Sequence, residues 1–255
     1  MNIKDLQDRY SGQIGFVIGS GPSLSFIKKD ELLKIKDYPI ICVNSSILKF
    51  ADLGCKNLYF LSDDTAVKNW SYYQLDLPKI KNCTYLLFED KLKNEAKHLD
   101  QDKIVWFKHK CWYDPHAKVY HPEGLELTRK ATDPICGART SSGSAIHIMH
   151  IMNNHPINNG LIILLGSDCC YHQNKRYYWQ FKGEKKAFRL DNIPVYSVPN
   201  KGIRDGQPID NHSLDFIQYF EALSKQCEKQ NIKVLNASGG ILKCFEKVKL
   251  EDIIK

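Results

Sequence analysis

Five short, apolar, β-prone runs follow one another through the first half of the chain: 15–19, 39–44, 57–62, 84–88 and 103–107. Between them lie stretches able to form helices, and this alternation admits few folds. Strands joined by crossover segments lie parallel, and a parallel sheet has to be covered on both faces. Residues 24–35 and roughly 65–75 mix polar and apolar side chains in the manner of crossover helices. A sixth run, LIILLGSD at 161–168, is apolar almost throughout, as for a strand buried on both sides, and IKVLNAS at 232–238 supplies a seventh. Ahead of the sixth run, Ser141 to Met152 is dense in small and apolar residues, which predicts a buried helix. Ahead of the seventh, Leu214, Ile217, Phe220, Leu223 and Cys227 recur at spacings of three and four, one face of an amphipathic helix. The expected fold is α/β, doubly wound and Rossmann-like, with a mostly parallel sheet of about seven strands.

A chain of 255 residues with 43% hydrophobic content can bury a full core as one domain spanning 1–255. Two segments break the rhythm and are expected to be insertions. Residues 108–139 mix His, Trp, Pro and charges without a period. Residues 171–212 carry eight Lys or Arg against four Asp or Glu, the composition of a long basic lid. No window approaches a membrane-spanning length of apolar residues, and MNIKDLQDRY lacks the layout of a signal peptide, so a cytoplasmic protein is expected. The nine cysteines include no C-x-x-C pair and sit mostly in apolar runs, which predicts reduced, buried thiols with neither disulfides nor zinc. The net charge of +7 suits an anionic ligand such as a nucleotide or nucleic acid, and equally suits plain solubility.

Ligands of open parallel sheets bind beyond the carboxyl ends of the strands. The residues at those ends are Gly19, Ser20, Gly21, Pro22 and Ser23; Asn44, Ser45 and Ser46; Ser62, Asp63 and Asp64; and Gly166, Ser167 and Asp168. Glycines let backbone amides approach an anion, and a following helix presents its unpaired N–H groups to the same point. The turn GSGPS is neither G-x-G-x-x-G nor G-x-x-x-x-G-K-[ST], which argues against a dehydrogenase or a P-loop kinase. Taken alone it is equally a strand-to-helix turn with Pro22 at the first helical position. Asn44 and Ser45 have capping as their alternative role. Asp63 and Asp64 would either cap a helix or hold a ribose or Mg²⁺.

GSGPSL, CVNSS, RTSSGSAIHIM, LIILLGSDCCYHQNKRYYW and NASGGI occur in that order over roughly residues 13–245. In this the chain resembles a set of nucleotide-using enzymes: the bacterial CMP-sialic-acid sialyltransferases, the motility-associated flagellin glycosyltransferases and the archaeal hydroxymethylpterin pyrophosphokinase. The resemblance implies that Gly19, Gly21, Asn44, Ser142 and Gly143 line a nucleotide-sugar site. Ser62, Asp63 and Asp64 stand where the sialyltransferases have an Asn. It also implies that Tyr171 and Tyr177, six residues apart, donate hydrogen bonds to a departing phosphate, with Tyr178 as substitute if the register shifts; neutral phenols stabilise developing charge without a metal. His212 falls where that branch has its general base, and a helix N-terminus would keep its ring neutral. The activity implied is that of a metal-independent, inverting glycosyltransferase. It would need no cofactor beyond a nucleotide-sugar donor, for which CMP-activated nonulosonic acid is the expectation, and would act on a hydroxyl-bearing glycan, protein or modified DNA. A pyrophosphokinase, with Asp63, Asp64 and Asp168 gathering Mg²⁺ on ATP, is the alternative, and a non-catalytic nucleotide- or nucleic-acid-binding module is a third. His147 and His150 fit core packing. His109, His116 and His121, with Cys111, match no zinc spacing.

Overall fold

Each apolar run becomes a strand, the first five within a residue of their expected limits, while the runs at 161–168 and 232–238 end three and two residues early, where the chain turns into the loops at the carboxyl ends. The strands are β1 (Ile14–Ile18), β2 (Pro39–Val43), β3 (Asn57–Ser62), β4 (Cys83–Phe88), β5 (Ile104–Phe107), β6 (Leu161–Leu165) and β7 (Lys233–Asn236). The computed structural model describes residues 2–110, 113–114, 119–120, 122–131, 134–136, 140–153, 159–193 and 202–254, without the side chains of 113–114, 119–120, 122–123 and 212. An eighth strand, β8 (Glu246–Lys247), extends the sheet; two exposed charged residues carry no hydrophobic pattern from which to foresee it. The order is β8-β7-β6-β1-β2-β3-β4-β5, and all seven neighbouring pairs are parallel. The order reverses at β1, between β6 and β2. Such a reversal opens a crevice at the carboxyl ends of the strands.

Alternate residues of each strand serve opposite faces. Phe16 and Ile18, Ile40 and Cys42, Leu58 and Phe60, and Ile163 and Leu165 pack into one layer. Val17, Ile41, Tyr59, Leu61, Ile162 and Leu164 pack into the other. That second layer holds α2 (Ser141–Asn153) and α3 (Asn211–Lys229), and α2 is buried along its whole length. It lies so close to β1 that a Cβ on Gly15 would come within 2.2 Å of Met149 Sδ. The first layer holds α1 (Lys29–Ile35) and a set of short turns. Here two expectations change. The stretch 24–35 divides into a 3-10 turn, Pro22–Phe26, and α1, because Ile27 is extended. The stretch 65–75 is not one helix but a 3-10 turn, Thr65–Asn69, and a π turn, Tyr72–Asp76; between them Trp70 leaves helical geometry to make an antiparallel bridge with Arg189.

That bridge belongs to a larger departure. The described first half of the basic segment is not a loose cover but an arm fastened along the strand ends: Tyr178, Trp179, Phe181 and Ala187 are buried, and Leu190 N and Ser71 N complete backbone bonds across the Trp70–Arg189 bridge at 2.7 and 2.8 Å. The arm's far end forms a two-stranded antiparallel ribbon, Gly202–Arg204 with Gln207–Ile209. Likewise the described part of the other insertion packs down. Leu125, Leu127, Ile135 and Cys136 are buried, Leu127 exchanges two hydrogen bonds of 3.0 Å with the Gln230 side chain, and His147 Nδ1 accepts from Cys136 N. His147 therefore does core work, as its sequence context suggested; burial pushes its pKa down to about 3. At the β5 edge, Asn2 bridges Trp106, and Ile3 and Leu6 bury themselves beside Val105 and Phe107. The eight described cysteines are free thiols, and no helix among the described residues is long and apolar enough to cross a membrane.

Candidate functional site

At the reversal of strand order the loops following β1, β2, β3 and β6 meet in a cleft of about 510 Å³. Ser20, Asn44, Ser142 and Asp168 all line it, together with Gly19, Gly21, Asp63, Asp64, Tyr171 and Tyr177. Among the expected site residues whose side chains are described, Pro22, Ser23 and Gly143 do not. Pro22 opens the 3-10 turn, and the Ser23 amide donates to Asp168 Oδ2 at 2.8 Å. Gly143 serves helix packing, since a Cβ there would lie 2.1 Å from Tyr219 Oη. His212 falls in the first turn of α3, and its side chain lies outside the described residues.

The glycines of GSGPS have a role the motif does not reveal. A Cβ on Gly19 would sit 2.4 Å from Gly166 O, and one on Gly21 would sit 2.3 Å from Asp168 Oδ2. Their amides are engaged as well: Gly19 N donates to Leu165 O at 2.7 Å and Gly21 N to Gly166 O at 2.8 Å. The absent side chains let the ends of β1 and β6 close against each other. A cradle of unpaired amides is therefore not what this turn offers, and the residues that follow it form five residues of 3-10 turn rather than an α-helix.

Ser20 is the hub of the wiring on the other side. Its hydroxyl donates to Val43 O at 2.9 Å and accepts from Ser45 Oγ and Ser46 N, each at 3.1 Å. The arm joins this network: Trp179 Nε1 donates to Ser45 Oγ at 3.1 Å, Tyr178 Oη to Ser45 O at 2.8 Å, and Tyr178 N to Ser20 O at 3.1 Å. Tyr178 is thus an anchor of the arm rather than a stand-in for Tyr177. Tyr177 stacks on Trp179, centroids 5.3 Å apart, and forms an aromatic wall with Trp70. Asn44 adopts a left-handed backbone (φ 52°), and its Oδ1 is buried without a partner. A strained, polar-tipped residue of this kind at a cleft marks a functional position more than a packing one.

The three carboxylates go separate ways. Asp64 Oδ1 accepts from Ala66 N at 2.9 Å and caps the Thr65–Asn69 turn. Asp63 accepts from the hydroxyls of Ser141 and Ser144 at the start of α2, with His109 Nε2 3.4 Å away. Burial acts to raise its pKa, but the His109, Ser141 and Ser144 contacts outweigh that and hold it below the usual carboxylate range. Asp168 has its pKa raised by burial, only partly opposed by Ser23. Among the described residues no three His, Cys, Asp or Glu side chains converge as a metal-ligand set, so the grouping that the pyrophosphokinase alternative requires is not formed. The raised carboxyl of Asp168 has a sign that can be checked: folding penalises its charged form, so the cost is full above its folded-state pKa and fades as pH falls toward the ordinary value. Asp168→Asn, which keeps an oxygen for Ser23 N, is expected to be at least as stable as the parent at pH 7, with the difference shrinking in acid. Urea titrations at pH 7 and pH 4 measure it, and a neutral-pH loss that persists at pH 4 would contradict the assignment.

At the α3 end, Asp210 caps the helix through Oδ1, accepting from Ser213 N at 2.7 Å and Ser213 Oγ at 2.9 Å, and takes the Tyr171 phenol on Oδ2 at 2.6 Å. Burial would raise the Asp210 pKa, but these bonds hold it below the usual range. Burial and the same carboxylate push Tyr171 up to about 12. The Tyr171 hydroxyl is thus committed to Asp210 rather than presented to the cleft. Asp210 is not among the residues the sequence points to, Arg176 stands out there only as one of the eight basic residues of the arm, and His109 only as part of a set with no zinc spacing. For Asp210 the signal was present, an Asp three residues ahead of a Ser at a helix start. For His109 it was absent, because nothing near it in sequence points to Asp63.

The fold and its switch-point cleft define a Rossmann-like, doubly wound α/β protein. No protein-family model matches the chain, and no curated protein matches it. Among solved structures it is similar to the MAf glycosyltransferase from Magnetospirillum magneticum AMB-1, with a TM-score of 0.55 and 12% identity over 96% of this chain. The match covers 35% of that protein, so this chain corresponds to about a third of its length.

Proposed function

We propose that the chain is a glycosyltransferase that uses a nucleotide-activated sugar. The observation that carries this reading is the convergence of Ser20, Asn44, Ser142 and Asp168, from four separate segments, into one cleft at the strand-order reversal. The likeness of the fold to a MAf glycosyltransferase supports it. In finer detail, the motif order points to a CMP-activated nonulosonic acid as donor and to inverting, metal-independent transfer onto a hydroxyl of a glycan, a protein or modified DNA. His212, in the first turn of α3, is the proposed general base. Asp63 and Asp64 are bonded to Ser141, Ser144 and Ala66 within the fold, and no observation favours the pyrophosphokinase.

A ligand bound only by the folded state raises apparent stability, by about 2.7 kcal/mol at one hundred times its dissociation constant. CMP is expected to produce such a rise with or without Mg²⁺, whereas ATP is expected to produce none. Thermal unfolding with CMP, CDP, UDP, GDP and ATP, each with and without Mg²⁺, is the test; a shift confined to ATP with Mg²⁺ would transfer the assignment to a kinase-like activity. Under the same reading, His212→Ala should lower turnover about a hundredfold, the usual size of a general-base contribution, with CMP affinity unchanged. Full turnover in that variant would remove His212 from the role.

A further inference from the structure

We propose that Arg176 is the residue that holds the phosphate of the ligand, at the end of the cleft formed by the first turn of α3. The proposal rests on the reading of the cleft as a nucleotide site and assigns its anion-binding group.

Several of the groups expected to bind phosphate are committed to the protein itself. Gly19 N, Gly21 N and Ser23 N are all bonded within the fold, and Pro22 has no N–H. The Tyr171 hydroxyl donates to Asp210. Four of the arm's cations are similarly engaged: Lys185 pairs with Asp76 at 3.0 Å, Lys186 Nζ donates to Trp179 O at 2.6 Å, Arg189 pairs with Asp191, and Arg204 lies 3.6 Å from Glu221. Among the described residues of the arm, Arg176 is the cation that lines the cleft. Lys91 lines it from the β4 side, but it is exposed, and an exposed ammonium is a hydrated point charge.

Arg176 has a carboxylate neighbour, and the plain alternative is that it merely neutralises Asp210. The geometry argues otherwise. Asp210 already accepts three hydrogen bonds, from Tyr171 and twice from Ser213. Arg176 Nη1 stands 3.7 Å from Oδ2, beyond hydrogen-bond distance. The carboxylate and the Tyr171 phenol therefore orient the guanidinium without using up its five donors. Its side chain is 22% exposed, with Cζ 5.5 Å from the centroid of the Tyr177 ring. A planar fork that is mostly desolvated and incompletely paired is suited to a bidentate phosphate. Tyr171 and Asp210 are then positioning residues, and the ligand-contacting role expected of Tyr171 passes to the arginine five residues on.

Inorganic pyrophosphate isolates the anion site from any base or sugar. By isothermal titration at low salt, Arg176→Ala is expected to weaken pyrophosphate binding about tenfold or more, the loss typical of removing charge-assisted hydrogen bonds. Arg176→Lys, which keeps the charge but not the fork, should fall between, and it remains informative if the alanine variant does not fold. Lys182→Ala, on an exposed arm lysine, should stay within about twofold of the parent. Unchanged binding in both Arg176 variants, or no pyrophosphate binding by the parent, overturns the proposal. Arg176-dependent binding of pyrophosphate without any binding of CMP would uphold the anion site and reject the nucleotide-sugar reading. Binding of CMP that is indifferent to Arg176 would do the reverse.

Discussion

Gly240→Ala is expected to destabilise the protein by about 3 kcal/mol, the upper range for an added methyl group in a close-packed site. A Cβ at Gly240 would meet Asp168 O at 2.0 Å, Cα at 2.3 Å and the carbonyl carbon at 2.4 Å. All three are backbone atoms, so no side chain can rotate aside. The backbone cannot easily retreat either, because Ile241 N donates to Asp168 O at 3.0 Å, Ser238 Oγ accepts from Ser167 N at 2.8 Å, and Lys247 Nζ donates to Ser238 O and Gly240 O. The substitution forces the NASGGI loop away from the end of β6, where Ser167 and Asp168 line the cleft. Gly54→Ala is the control: Gly54 has φ +68° but nothing within 4 Å of its Cβ position, so only the left-handed backbone is penalised, by about 1–2 kcal/mol. The urea midpoints of the two variants, at unchanged slope, give the comparison. Equal costs would mean that the contact with Asp168 relaxes at no expense.

Asp63→Ala should cost about 3 kcal/mol, since leaving a buried hydrogen-bonding group without its partner costs about 1–3 kcal/mol and three such groups face this carboxylate. The carboxylate is 13% exposed and the His109 side chain 14%, so the deletion strands His109 and two hydroxyls of α2 in a poorly solvated site. Asp63→Asn, which retains an acceptor of the same shape, should lose less. The pH dependence separates charge from packing. Because the folded state holds the Asp63 carboxyl below its ordinary value, its stabilisation is complete above that ordinary value and is lost as pH falls through the folded-state pKa. The gap between parent and Asp63→Ala should therefore narrow in strong acid. A gap of constant size from pH 7 to pH 3 would assign the cost to the cavity alone. Loss of this contact also frees the start of α2, so Ser142 should no longer hold its place in the cleft.

These two sites show where sequence reading succeeds and where it stops. Strand positions were legible because burial on both faces demands unbroken apolar runs such as LIILL, and such runs are visible in a dozen residues. The cleft was legible because parallel topology dictates which strand ends share a crevice. The meaning of the glycines was not, since the carbonyls that Gly19, Gly21 and Gly240 approach belong to strands distant in the chain, and steric contact between remote backbones leaves no local signature. The basic segment was misjudged for a related reason: its charge suggested a solvated cover, while two aromatic residues, Tyr178 and Trp179, were enough to secure it to Ser45. The stretch 65–75 shows the remaining limit, because Trp70 gives up helical geometry for a partner over a hundred residues away.

The two margins of the sheet are guarded differently, with a practical result. On one side the outermost strand has two exposed charged residues, too short a template for another chain to pair with. On the other, the margin is shut by the first few residues, through the Asn2–Trp106 bridge and the buried Ile3 and Leu6. Trimming these residues, or fusing a bulky partner that pulls them loose, would bare the hydrogen-bonding row of β5. Self-association through that margin should then appear in a protein whose cleft is untouched, so affinity handles are better attached at the opposite terminus.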